Sequence, residues 1–267
     1  SHRCKEAELL SQFCHISRRS PALNTVQSDR TAMRYVLYLV ALFLLTTAHV
    51  AAQSADTLWA AWLRGQRAAW QDWQQLSVEV EGHHVIDAPY GVRRVRFVAE
   101  VHITPDRMER QVRLLEVDGR TVPTEAFPRV VRPEPRWLEP LLDRWPPFRL
   151  LDGLRPWGPA VADSVDRVAC WRLELQPPAH PPVERITLWF ARDDGRLVQS
   201  RLLLRGPRMP TPARLQTRFV RIEGRDLPVH RQLTWLHPVR RRMRRYTLLI
   251  TQELFYRDYR FEPVGIP

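Results

Sequence analysis

Between Asp56 and Gln74 the apolar residues Trp59, Trp62, Ala69, Trp70 and Trp73 recur near one face at helical spacing, while Arg64, Arg67 and Asp72 lie elsewhere. Asp56 or Thr57 is placed to cap such a helix, so the pattern predicts an amphipathic helix at the start of the folded region. A stripe this rich in Trp reads first as core. It requires a wide apolar partner, which a curved sheet provides.

After Leu76 the period changes to two. Val78, Val80, His84 and Ile86 alternate with Glu79, Glu81 and His83, and Pro89, Tyr90 and Gly91 make a turn. Val95, Phe97, Ala99, Val101 and Ile103 then alternate with Arg94, Arg96, Glu100 and His102, the cleanest half-buried strand in the chain. Met108 to Val117 returns and closes at Asp118-Gly119, a strong hairpin signal. Residues 120–160 break the alternation with nine prolines and predict an insertion over one end of the sheet, with a short helix at Trp137–Trp145. Strands resume at about Ser164–Leu175, Val183–Arg192, Arg196–Leu204, Ala213–Ile222 and Leu227–Leu236. Met243–Phe261 supplies a long last strand or a bent pair. The expectation is a mostly β (α+β) domain of eight to ten antiparallel strands over residues 53–267.

The N-terminal region has a different character. Met33 and Arg34 precede an eleven-residue, mainly apolar run, Tyr35–Leu45, and then small residues at Val50 and Ala52 before Gln53. That is the layout of a secretory signal peptide over 33–52 with cleavage after Ala52. Residues 1–32 then read as an upstream extension outside the mature protein. The alternative is an uncleaved inner-membrane anchor facing the periplasm. Arg18, Arg19, Arg30 and Arg34 would satisfy the positive-inside rule, but the run is short of the ~20 apolar residues a spanning helix needs.

Composition sharpens this picture in one respect. Of 41 basic residues only Lys5 is a lysine, and Asn24 is the only asparagine, a bias expected of a GC-rich genome. Residues 53–267 nevertheless carry 35 Arg against 26 Asp and Glu, so the surface attracts anions such as phospholipid head groups. The run Arg240, Arg241, Arg242, Arg244 and Arg245 is its densest part. It reads as a solvated hairpin end that discourages edge pairing, or as a contact for an anionic membrane surface. Nucleic acid is disfavoured as a partner, because the chain carries an export signal and no recognition motif.

Candidate chemistry is thin. Gly-rich phosphate loops, GxSxG, HExxH and Cys/His metal spacings are all missing, so no catalytic residue, metal or cofactor is assigned. His83 and His84 are adjacent on a strand, point to opposite faces, and do not chelate together. Cys170 sits in an apolar run and reads as an inert buried thiol.

Four segments carry a resemblance: LLEVDGRTV (114–122), ADSVDRVACWRLELQP (162–177), ITLWFARDDGRLVQSRL (186–202) and YTLLITQELFYRDYRF (246–261). With the leading helix they resemble the periplasmic lipoprotein-carrier superfamily, the LolA/LolB-like proteins and related outer-membrane lipoprotein-sorting proteins. The resemblance implies a curved antiparallel half-barrel around an apolar concavity closed by helices. It also implies a non-enzymatic envelope protein that binds a lipid or lipoprotein acyl chain. Trp59, Trp62, Phe97, Val101, Trp189, Phe190 and Trp235 are the candidate cavity residues. The alternative reading is a structural or interaction module of the cell envelope, with envelope proteins as partners and a packed core.

Overall fold

The structure, a computed structural model, describes residues 55–71, 73–131, 145–177, 183–205, 212–241 and 244–262. These belong to the unit Ala48–Pro267; a second unit, Ser1–Thr47, and the whole export segment lie outside the described residues. The expected helix is present as α1, residues 55–69. It ends before the predicted Gln74, yet Trp70 and Trp73 beyond it are still buried.

Among the described residues, eleven strands follow. They are β1 (Gln75–Ala88), β2 (Gly91–Ile103), β3 (Met108–Val117), β4 (Arg120–Thr121), β5 (Val161–Val165) and β6 (Val168–Leu175). The rest are β7 (Val183–Ala191), β8 (Leu197–Leu204), β9 (Ala213–Ile222), β10 (Arg225–Arg241) and β11 (Arg244–Glu262). They form one antiparallel sheet ordered β4-β3-β2-β1-β11-β10-β9-β8-β7-β6-β5. The sheet is not closed, and its curved form is a half-barrel. Chain order explains the layout. The first four strands step outward from β1, the chain crosses to the far edge, and the remaining seven step back until β11 pairs with β1, as in Val80↔Tyr256 and His84↔Gln252.

The count exceeds the expected eight to ten for two local reasons. Two-residue β4 pairs with β3 through Glu116↔Thr121 and Val117↔Arg120. The predicted strand Ser164–Leu175 is also a hairpin, β5 and β6, turning at Asp166-Arg167 with φ of 49° and 71°. Positive φ at both central residues matches the right-handed strand twist, but neither residue is the Gly or Asn that advertises such a turn.

Alternation sorts the two faces. Leu76, Val80, His84 and Ile86 of β1 point into the concavity and are buried, while His83 on the opposite face has a 42% exposed side chain. Gly82 is required by close approach. A Cβ there would lie 2.1 Å from the Phe97 ring, which crosses β1 at this point and meets Phe127 edge-on at 4.9 Å. Phe127 opens α2 (Phe127–Val130), part of the crossing segment between β4 and β5. The helix expected at Trp137–Trp145 lies outside the described residues apart from Trp145.

Candidate functional site

Helix α1 lies against the concave face. Trp59 and Trp62 stack at 5.2 Å, and both meet Phe190 of β7 edge-on at 6.5 and 5.4 Å. Beneath this apolar contact is a polar anchor. The Asp226 carboxylate on β10, 1% exposed, accepts hydrogen bonds from Trp62 Nε1 at 2.7 Å and the Leu197 backbone N–H at 3.0 Å. It also accepts from Arg221 Nε at 2.8 Å and Arg221 Nη2 at 2.9 Å. Gln66, one turn along α1, accepts from the Asp226 backbone N–H and donates to the Gly224 carbonyl. A buried carboxylate met by this many donors is stabilised rather than penalised, so the helix is fixed in position as well as orientation.

The second cover is the end of the crossing segment. Trp145, Phe148 and Leu151 are buried in the main core cluster. From Trp145 to Leu154, the backbone hydrogen bonds among the described residues are local: Arg149 to Pro146, Leu151 to Phe148, and Leu154 to Leu151. The segment is tied to α1 by Trp59 Nε1 donating to the Leu154 carbonyl at 3.0 Å and by the Arg67–Asp152 ion pair. Trp145, Phe148 and Leu151 meet the sheet through side chains, and past them the segment joins β6 by backbone hydrogen bonds, Trp157 N–H donating to the Glu174 carbonyl and Gln176 N–H to the Arg155 carbonyl.

Among the described residues, two of the spaces beneath these covers are small voids. One, about 30 Å³, lies among Val78, Val80, Phe97, Val101, Trp145 and Leu254. The other, about 40 Å³, lies among Trp62, Phe148, Leu151, Leu202 and Leu215. Neither approaches the 300–1,000 Å³ typical of a ligand pocket. An open cleft of about 490 Å³ does so, between the β2–β3 turn (Thr104–Arg107) and Arg149. It shares Ile103, Met108 and Trp145 with the first void, so the Trp145 indole is part of the wall between the cleft and the concave interior.

Of the seven cavity candidates, Phe97, Val101 and Trp62 line these voids. Trp59, Phe190 and Trp235 belong to the same concave core without lining either. Trp189 is a correction. It neighbours Phe190 on β7, so it faces the other way, into a separate convex cluster with Val165 and Cys170. There its Nε1 donates to Asp163 at 3.0 Å, and Arg201 lies 5.3 Å above its ring. Cys170 is fully buried, and burial pushes its thiol pKa up. The basic run is described only by its backbone, with Arg240↔Arg245 and Arg241↔Arg244 in register; its side chains and Arg242 lie outside the described residues.

The sequence reading missed a set of polar side chains on the concave floor: Ser200, Thr217, Arg231 and Gln252. Each sits at an inward strand position among Leu and Val, which is the signal that could have revealed them. On the convex face, Glu81 collects Arg96 at 2.9 Å, His83 at 3.1 Å and Arg257 at 3.3 Å. The Arg96 hydrogen bond holds its carboxyl below the usual range. Among the described residues no group of three or more His, Cys, Asp or Glu is placed to hold a metal ion. Nor is any helix among them long and apolar enough to cross a membrane.

No family model and no curated protein matches the chain. Similar solved structures include a DUF1329 family protein from Desulfovibrio piger, at 14% identity and TM-score 0.40, covering 81% of this chain and 95% of that one. MucB in complex with MucA, a pair also solved from Pseudomonas aeruginosa, is similar at 14% identity and TM-score 0.20 over 73% of this chain and 93% of that one. A putative outer membrane lipoprotein-sorting protein domain from Vibrio parahaemolyticus, of the superfamily the sequence resembles, is similar at 10% identity and TM-score 0.42, covering 81% and 95% of the two chains.

Proposed function

We propose that the chain is a non-enzymatic binding or carrier protein of the cell envelope, exported through segment 33–52, whose concave face receives a lipid or lipoprotein acyl chain. The observation that carries this reading is the position of Trp145. Its indole forms part of the wall, with Ile103 and Met108, between an open cleft of about 490 Å³ and the apolar interior. Among the described residues Trp145 lies outside every strand and is buried by side-chain packing, so its indole can swing out without unpairing a strand. An acyl chain entering past Trp145 would run along Val78, Phe97 and Val101.

A second reading, a packed structural or interaction module, is favoured by the small size of the enclosed voids. The two separate in a binding assay with a fluorescent fatty-acid probe. The carrier reading expects saturable binding to the wild type and tighter binding to Trp145→Ala, which joins cleft and interior. A packed module expects no saturable binding to either. N-terminal sequencing of the protein from its own envelope checks export: the first residue should be Gln53, and an intact chain retaining Met33 would contradict cleavage.

A further inference from the structure

Of the six large apolar residues exposed among the described residues, three lie together at one end of the sheet: Tyr90, Val92 and Leu249, at 68%, 46% and 41%. Tyr90 is in the β1–β2 turn, and Val92 and Leu249 are both in register with Asp87 near the end of β1, so they share its face. Tyr246 of β11 reaches the same place and meets the Tyr90 ring edge-on at 6.3 Å. The neighbouring hairpin carries this end further. Among the described residues β1 pairs with β11 no further than Leu249, and β9 with β10 no further than Thr234. Residues 237–241 and 244–248 then pair only with each other, from His237↔Leu248 to Arg241↔Arg244, an overhang of roughly 15 Å.

The charge of this overhang has one sign. The sequence places Arg240, Arg241, Arg242, Arg244 and Arg245 in it or at its turn, and the chain carries no Asp or Glu between Asp226 and Glu253. Asp87 is the acidic residue of the Val92–Asp87–Leu249 row, one carboxylate against five guanidiniums. A basic run kept only for solubility, or to discourage edge pairing, gains nothing from exposed aliphatic and aromatic neighbours. Tyrosine, with its apolar body and polar tip, set among aliphatic residues and arginines is instead the composition that settles between lipid head groups and acyl chains.

We infer that this end of the half-barrel is a docking surface for an anionic phospholipid bilayer. The positive charge of the β10–β11 overhang draws it to the lipid phosphates, and Tyr90, Val92 and Leu249 enter the interface beside it. Charge complementarity selects this occupant. A second copy of the chain, related by a two-fold axis, would bring the same five arginines against themselves, and like charges repel. The cleft beside Trp145 is walled by the β2–β3 turn, at the opposite end of β2 from Tyr90, so docking here does not cover it.

The test is sedimentation of the protein, purified from its own envelope, with vesicles of phosphatidylcholine alone or containing about one-third phosphatidylglycerol. Wild type should bind the phosphatidylglycerol vesicles at about 0.05 M salt, lose most of that binding at about 0.5 M, and bind phosphatidylcholine about 10-fold more weakly or not at all. Each arginine near such a surface is worth about fivefold in affinity, so Arg240→Gln/Arg241→Gln/Arg244→Gln should weaken binding roughly 100-fold. Tyr90→Ser/Leu249→Ser should weaken it about tenfold at the same salt. Thermal stability is followed in parallel; should the Tyr90/Leu249 pair fail to fold, Tyr90→Ser alone replaces it, with a roughly threefold loss expected. Absence of wild-type binding, or binding that any of these variants leaves unchanged, overturns the docking surface. A monomer–dimer equilibrium abolished by Tyr90→Ser/Leu249→Ser, with no vesicle binding, overturns it in favour of a contact between copies of this chain.

Discussion

Replacing Asp226 by Asn tests whether the docking of α1 depends on a polar anchor. The substitution keeps shape and volume and removes only the charge and one acceptor. In its least damaging orientation the new amide turns its NH₂ toward Arg221 Nε, which now donates at 2.8 Å, and retains an oxygen for Trp62, Leu197 and Arg221 Nη2. One charge-assisted bond is lost outright, at about 1.5–3 kcal/mol. The bonds from Trp62 and Leu197 become neutral ones, roughly half as strong, while that from Arg221 Nη2 keeps its charged donor. At the lower end of these ranges the sum is about 3 kcal/mol, the lower edge of the ~3–5 kcal/mol measured when one partner of a buried ion pair is removed. For a domain of this size that lowers Tm by roughly 6–12 °C. Urea denaturation monitored by Trp fluorescence reads the loss. A cycle with Trp62→Phe, which deletes one donor and keeps an aromatic ring, should give a coupling of about 1 kcal/mol. A change below ~0.5 kcal/mol for Asp226→Asn, the range of an ordinary surface substitution, would refute the anchor.

Two further outcomes follow from the packing and charge of the sheet. Gly82→Ala places a methyl against the buried Phe97 ring and should cost about 1–3 kcal/mol in urea denaturation, with the double variant Gly82→Ala/Phe97→Leu regaining part of it; an unchanged midpoint would contradict the close approach. Acid should destabilise the fold in two stages. Burial depresses the His230 pKa below its ordinary 6.5, so its contribution is complete above pH 6.5 and is lost as pH falls through that region; Glu81, held below 4.5 chiefly by Arg96, adds a loss beginning near pH 4.5. His230→Gln should remove the first stage, and a flat urea midpoint between pH 7 and pH 5 in the wild type would contradict it.

Much of this molecule was legible in its sequence, because its strands alternate cleanly and its turns use familiar residues. Val95 to Ile103 and the Asp118-Gly119 turn could be placed from pattern alone. The β5–β6 hairpin was not legible, since its turn has no Gly or Asn and places positive φ on Arg167 as well as Asp166, with apolar residues resuming at once on either side. Trp189 was misassigned because apolar residues occupy both faces of β7, and composition then overrode the alternation that separates Trp189 from Phe190. The Asp226 anchor joins residues up to 164 positions apart, and no local pattern encodes such pairing. The concave polar row is an intermediate case. Ser200, Thr217 and Arg231 could each be seen at inward positions, but only the strand order brings them side by side.

If the concave face receives an acyl chain past Trp145 and its neighbours, the protein should leave its envelope with lipid bound. Native mass spectrometry of the protein purified from its own envelope, without detergent exchange, tests it most directly. The expected result is a bound species heavier than the protein by the mass of one acyl-chain lipid, displaced by added palmitate and more abundant in Trp145→Ala. A bare protein mass in both the wild type and Trp145→Ala, with palmitate adding nothing to either, would contradict it.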